Sequence, residues 1–203
     1  MQAIPRRERA RPTLTEQARR AQIIAAAIDT IAEAGYPRAS FAQIAKRAGL
    51  SSTGLISYHF RAKKDLDAAI VADIFERLSH HMYLAMQGAA DPQAALVAYI
   101  EGLIDFMKID PLALQALLGI VLHGGVAWDA DAQQESTSGI TDILRWGQAE
   151  GVFRPFDIPV MATTIQRSLD GIPLAQSSDP DLDLDAYARE LVELFTRATR
   201  KES

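Results

Sequence analysis

The sequence contains no cysteine, which excludes disulfides, thiolate metal sites and cysteine nucleophiles. It lacks any apolar run of roughly eighteen residues, so no membrane span is expected. Residues 1–12 hold Arg6, Arg7, Arg9 and Arg11 but no apolar segment, and do not read as a secretory signal. The expected location is the cytoplasm. A phosphate-binding loop, a glycine fingerprint after a strand and a nucleophile elbow are all missing. Histidines are few: His80 and His81 are adjacent and would leave a helix in different directions, while His59 and His123 are far apart. Catalysis, metal binding and cofactors are therefore not expected. Alternating strand patterns are also absent, which points to an all-α fold.

What is present is ordinary in bulk and uneven in distribution. Hydrophobic residues make up 48% of the 203 positions and charged residues 23%, a globular composition. The formal net charge of −5 conceals a split. Residues 1–64 carry twelve Lys/Arg against four Asp/Glu, and residues 65–203 carry nine against twenty-two. A basic head on an acidic body suggests that the head alone meets a polyanion. We expect a head over 1–62 and a body over 63–203.

Helical spacing recurs along the chain. Ile24, Ala27, Ile28, Ile31 and Ala32 form an apolar stripe, opened by Thr13 and Glu16 as a capping box and closed by Gly35. Ser40 to Gln43 is a second box, opening a short helix that ends near Ala48. Ser51 or Ser52 is placed to cap a third short helix running to about Tyr58. A fourth runs from near Ala62 to about Gln87. Asp91-Pro92 and Asp110-Pro111 each set an N-cap residue before a proline at the first helical position. Further helices are expected over about 131–150, 158–176 and 184–199, about nine in all.

The stretch FAQIAKRAGLSSTGLISYHFRAKKDL, Phe41 to Leu66, carries the functional signal. Two short helices flank the tight turn Ala48-Gly49-Leu50-Ser51, a helix-turn-helix arrangement whose second helix enters the major groove. Ile44, Ala45, Leu50 and Leu55 would pack the two helices together. Ser51, Ser52, Thr53, Gly54 and Ser57 are small or polar and allow close approach to bases. Tyr58 and His59 sit at the end of the reading helix, within reach of phosphate oxygens, while Phe60 reads as core. Lys63 and Lys64 occupy the first turn of the fourth helix, where the macrodipole disfavours cations unless a phosphate lies opposite. Ser40 stands where helix-terminal N–H groups can face a phosphate. The arginine arm either enters the minor groove or is an unengaged terminus.

The run AGLSSTGLISYHFRAKKDL resembles the signature of the TetR family of bacterial regulators, over about residues 16–66. A weaker similarity covers WGQAEGVFRPFDIPVMATTIQRSLDGIPLA, residues 146–175, to the family's dimerisation helices. The resemblance implies an all-α homodimer that binds a pseudo-palindromic operator in double-stranded DNA and is released, as a repressor, by a small-molecule effector. It implies a reading helix over Ser52 to Tyr58 and a phosphate contact from Lys64. Three features depart from the family pattern. The stretch between Gly49 and Phe60 is one residue longer, Ala62 replaces a capping Ser or Asn, and Pro173 falls inside the expected eighth helix.

For the body, Phe106, Met107, His123, Trp128, Trp146, Met161 and Gln166 are candidate effector-pocket residues, and each is equally readable as core. Ile165, Leu169, Ile172, Leu191 and Phe195 are candidate dimer-interface residues. Two other readings stay open on the sequence. One is an all-α ligand-binding protein or enzyme with a coincidental helix-turn-helix; the other is an architectural DNA binder without a ligand.

Overall fold

The computed structural model describes residues 13–127 and 130–201, leaving out the side chains of 130–133 and 135. The arginine arm and Trp128 therefore lie outside the described residues. The architecture is all-α, with ten helices among the described residues: α1 (Leu14–Ala34), α2 (Phe41–Arg47), α3 (Gly54–His59), α4 (Lys63–Met86), α5 (Pro92–Ile109), α6 (Pro111–Leu122), α7 (Ala130–Ala149), α8 (Ile158–Asp170), α9 (Ile172–Ser178) and α10 (Leu184–Thr199). A 3-10 turn over Tyr36–Arg38 links α1 to α2.

Aspartate caps punctuate the body as the Asp-Pro pairs predict. Asp91, Asp110 and Asp157 each accept a backbone N–H three residues on, from Ala94 at 2.8 Å, Ala113 at 3.1 Å and Val160 at 2.9 Å. In each case proline follows in the first turn, where its missing N–H costs nothing. The capping box of α1 is complete, with Glu16 accepting the Thr13 amide at 2.7 Å and Thr13 accepting the Glu16 amide at 3.3 Å. At Ala62 only half a box exists. The Asp65 carboxylate accepts the Ala62 N–H at 3.2 Å, but a methyl group offers nothing in return.

The helix expected over 158–176 is two helices. α8 closes at Gly171, and Pro173 occupies the first turn of α9. A proline there cannot donate to the α8 ladder, so the chain restarts.

Two apolar cores form. The first joins Ile23, Ala27 and Ile31 of α1 with Ile44, Ile56, Phe60, Leu66, Ile70, Ala113, Ala116 and Ile120. It therefore takes α4 and α6 into the packing of the head, beyond position 62. The second joins Leu96, Ile100 and Ile104 of α5 with Ile140, Leu144, Phe153, Ile165, Leu169, Leu191 and Phe195. α6 packs on α1 in the first core, while α5 packs on α4 as well as on α7 and α10.

Candidate nucleic-acid interface

The head is built on the α2–turn–α3 unit. The Ser40 hydroxyl caps α2 by accepting the Gln43 amide at 3.3 Å. Gly49 takes φ +65°, a left-handed conformation that closes α2, and the Leu50 amide then bonds the Ala45 carbonyl at 2.9 Å. From α1, the Gln22 side-chain amide donates to the Ala48 carbonyl at 2.7 Å, pinning the turn.

α3 begins later than the sequence suggested. Ser52 and Thr53 precede the helix, and no side chain caps it, so neither Ser51 nor Ser52 acts as the expected N-cap. Ile56 is fully buried and Leu55 is 38% exposed, the reverse of the expected use of Leu55 as packing residue. The second helix of the motif is thus Gly54–His59.

Most of the expected contact residues are exposed. Ser40, Ser51, Ser52, Thr53, Gly54, Ser57, Tyr58 and Lys64 are exposed, and His59 is half-buried. Tyr58 is 71% exposed, and its ring meets His59 edge-on at 5.1 Å between centroids. Phe60 is buried as expected, with the Arg20 guanidinium 4.4 Å from its ring centroid. Lys46 and Arg61 add exposed cations nearby.

Lys63 departs from its expected role. Its ammonium lies 3.8 Å from the Tyr36 ring centroid and donates to the Tyr36 carbonyl at 3.1 Å. The cation is turned inward onto an aromatic face, which also explains how a lysine is tolerated at a helix start.

Sequence reading missed the joint to which Lys63 belongs. The Tyr36 hydroxyl donates to Asp67 Oδ2 at 2.7 Å, and the His123 ring stacks on Tyr36 at 5.4 Å. Asp67 is buried, and its Oδ1 has no hydrogen-bond partner. Burial raises the Asp67 carboxyl above its ordinary value, against the opposing pull of the Tyr36 bond and Lys63. A raised folded value means that this group favours the fold below the ordinary carboxyl range. That contribution is lost as pH rises through the folded value. Asp67→Asn removes the titration. Lowering the pH towards the carboxyl range should therefore stabilise the wild type relative to the variant, read as converging or crossing denaturation midpoints.

The body residues singled out for an effector pocket do not converge. Phe106 and Met107 are buried, with Phe106 beside the His81 ring at 5.7 Å. His123 is exposed at the joint with the head, Trp146 is 39% exposed on α7, and Met161 lines an outer groove. Gln166 is buried. It accepts the Tyr99 hydroxyl at 2.8 Å and donates to Asp170 at 2.8 Å. Burial, with Asp170 nearby, pushes the Tyr99 phenol up to about 12. Tyr99 escaped notice because one tyrosine in an apolar row looks like core.

The five residues expected at a dimer face need correction. Ile165, Leu169, Ile172, Leu191 and Phe195 are buried in the chain's own second core. Ile165, Leu169 and Ile172 have no exposed surface to offer a partner, Leu191 keeps 9% of its surface, and Phe195 reaches only the floor of a groove on α8 and α10. The same two helices, α8 and α10, expose another face. Phe156, Val160, Met161, Thr164, Leu194 and Ala198 line a shallow apolar groove there of about 370 Å³. Val160 is 64% exposed and Leu194 56%.

This geometry defines an all-α protein in which a helix-turn-helix unit packs against a larger helical body. Residues 23–70 match the family described as bacterial regulatory proteins, tetR family. That match falls on the N-terminal helix-turn-helix part of the chain. The chain is 39% identical over 102 residues to the HTH-type transcriptional regulator BetI of Yersinia pestis (strain Pestoides F), covering 49% of this chain and 51% of that protein. It is 38% identical over 104 residues to BetI of Escherichia coli O17:K52:H18 (strain UMN026 / ExPEC), covering 49% and 52%. The chain thus matches about half the length of these curated relatives. Among solved structures, a gamma-butyrolactone receptor (ArpA like protein) superposes with a TM-score of 0.73 at 19% identity, over 92% of this chain and 90% of that one. The fatty acid degradation regulator FadR from Bacillus halodurans gives 0.72 at 22%, over 87% and 93%. At these identities the likeness is one of fold. Among the described residues, no helix is long and apolar enough to cross a membrane, and no cluster of His, Asp and Glu could hold a metal ion.

Proposed function

We propose that the chain is a sequence-specific, DNA-binding transcriptional regulator, acting as a homodimer and released from its operator by a small molecule. The observation that carries the reading is the exposed surface of the α2–turn–α3 unit. It gathers small polar residues, a projecting tyrosine and cations on the basic end of an otherwise acidic chain. Phosphate contacts would set the register and α3 would read base edges. The relatives' description as transcriptional regulators supports this reading over a catalytic one. The division of labour is a head over 1–62 and a body over 63–203, with repression as the mode that the family habit favours. The acidic body would sense the effector and, through the exposed face of α8 and α10, hold two heads about one DNA turn (~34 Å) or more apart.

Lys64 is the cation placed to neutralise a phosphate. Lys64→Ala should weaken binding about equally for every duplex and lower the salt slope by about one. A titration across salt concentrations with two unrelated duplexes checks this. An unchanged slope would remove Lys64 from the contacts.

A further inference from the structure

Tyr58 projects from the reading helix, yet its hydroxyl is already committed. It donates to Glu16 Oε1, from the start of α1, at 3.1 Å. The other oxygen of the same carboxylate accepts the Thr13 amide at 2.7 Å and the Thr13 hydroxyl at 3.0 Å. The Thr13 amide, then the Thr13 hydroxyl and Tyr58, hold the Glu16 carboxyl below its ordinary value. Glu16 is therefore ionised near neutrality and can only accept. The bond to Glu16 raises the Tyr58 phenol, which keeps its proton. A phenol has one proton to give. With that proton on Glu16, the surface that Tyr58 turns outward is an oxygen able only to accept.

This polarity restricts what DNA can offer. Phosphate and sugar oxygens are acceptors, so they cannot pair with it, and the Glu16 charge repels them as well. The hydrogen-bond donors that duplex DNA presents are base amino groups, and in the major groove these are cytosine N4 and adenine N6. Resting on the function proposed above, we infer that Glu16 is a positioning residue that sets specificity. It turns Tyr58 from a phosphate donor into an acceptor that reads the exocyclic amino group of an adenine or cytosine. Tyr58→Phe keeps the ring and deletes the acceptor. Glu16→Ala releases the proton, so the hydroxyl can donate to a guanine or thymine oxygen or to a phosphate.

The test is selection of bound duplexes from a random pool by the full-length wild type, Glu16→Ala, Tyr58→Phe and Thr13→Ala. The last variant weakens the α1 cap while leaving the Glu16–Tyr58 bond in place. Wild type and Thr13→Ala should hold one position per half-site to adenine or cytosine. Tyr58→Phe should relax that position, and Glu16→Ala should relax it or move it to guanine or thymine. Replacing that base with purine or 2-pyrimidinone, which lack the amino group, should cost the wild type roughly three- to tenfold in affinity. The same replacement should cost Tyr58→Phe nothing. Unaltered base preferences in both Glu16→Ala and Tyr58→Phe would overturn the inference. So would a uniform loss across all duplexes in Tyr58→Phe with a reduced salt slope, the mark of a phosphate contact. If the wild type itself enriches no sequence, the DNA-reading function fails and takes this inference with it.

Discussion

Gly147→Ala should destabilise the chain by about 3 kcal/mol or more in chemical denaturation, the upper end of what overpacking costs. A methyl group at Gly147 would lie 2.0 Å from Phe153 Cδ2 and 2.2 Å from Cε2. Real carbon atoms do not approach so closely, so one of the two segments has to move. Phe153 has little freedom to do so. It is 3% exposed, and its own amide and that of Val152 both donate to the Gly147 carbonyl at 2.9 Å. The next residue, Arg154, bonds its amide to the Thr199 carbonyl at 2.9 Å. The 151–156 segment is thus tied to the ends of both α7 and α10, and a displaced Phe153 would pull on both. Gly147→Ala/Phe153→Leu should recover part of the loss, because the smaller side chain vacates the space. Wild-type stability in Gly147→Ala would show that Phe153 does not seal the second core in this way.

Leu194→Glu should convert a dimer into a folded monomer and lower operator affinity by about a hundredfold or more, the order of the gain from engaging two half-sites together. Leu194 is 56% exposed on α10 beside Val160 of α8, so a carboxylate there stays in water while the monomer is alone. It becomes buried and unpaired only against a partner. Leu191, one turn earlier on the same helix, is 9% exposed. Leu191→Glu would bury the charge in the monomer's own core and should lower stability whatever the oligomeric state. Sedimentation and thermal melting of the two variants separate these effects. A Leu194→Glu chain that remains dimeric would move the interface off this face.

The contrast between Leu191 and Leu194 marks the limit of what the sequence shows. Apolar residues at helical spacing say that a face is buried, and they say nothing of what buries it. The stripe Ile165, Leu169, Leu191 and Phe195 is visible in the sequence, but it packs within the chain, whereas the face left exposed mixes Val160, Met161 and Leu194 with polar Asp157, Thr164 and Ser168. Helix starts were legible because Asp-Pro and Thr-x-x-Glu act locally, through one side chain and one amide. The start of α3 was not, since Ser51, Ser52 and Thr53 are all plausible caps and the structure uses none of their side chains. Tertiary pairing also hid the partners of charged groups. Lys63 looked like a phosphate ligand until Tyr36, 27 residues away, supplied a ring and a carbonyl. Glu16 looked like a cap alone until Tyr58, 42 residues on, reached its second oxygen.

The α2–turn–α3 surface is proposed to read DNA sequence. Selection of bound duplexes from a random pool by the wild-type chain, with the complex stoichiometry measured on the winner, tests it most directly. The expected result is an enriched pseudo-palindrome with half-sites one helical turn or more apart, bound by a dimer through two heads. Binding that enriches no sequence, and that only follows the salt concentration, would contradict it.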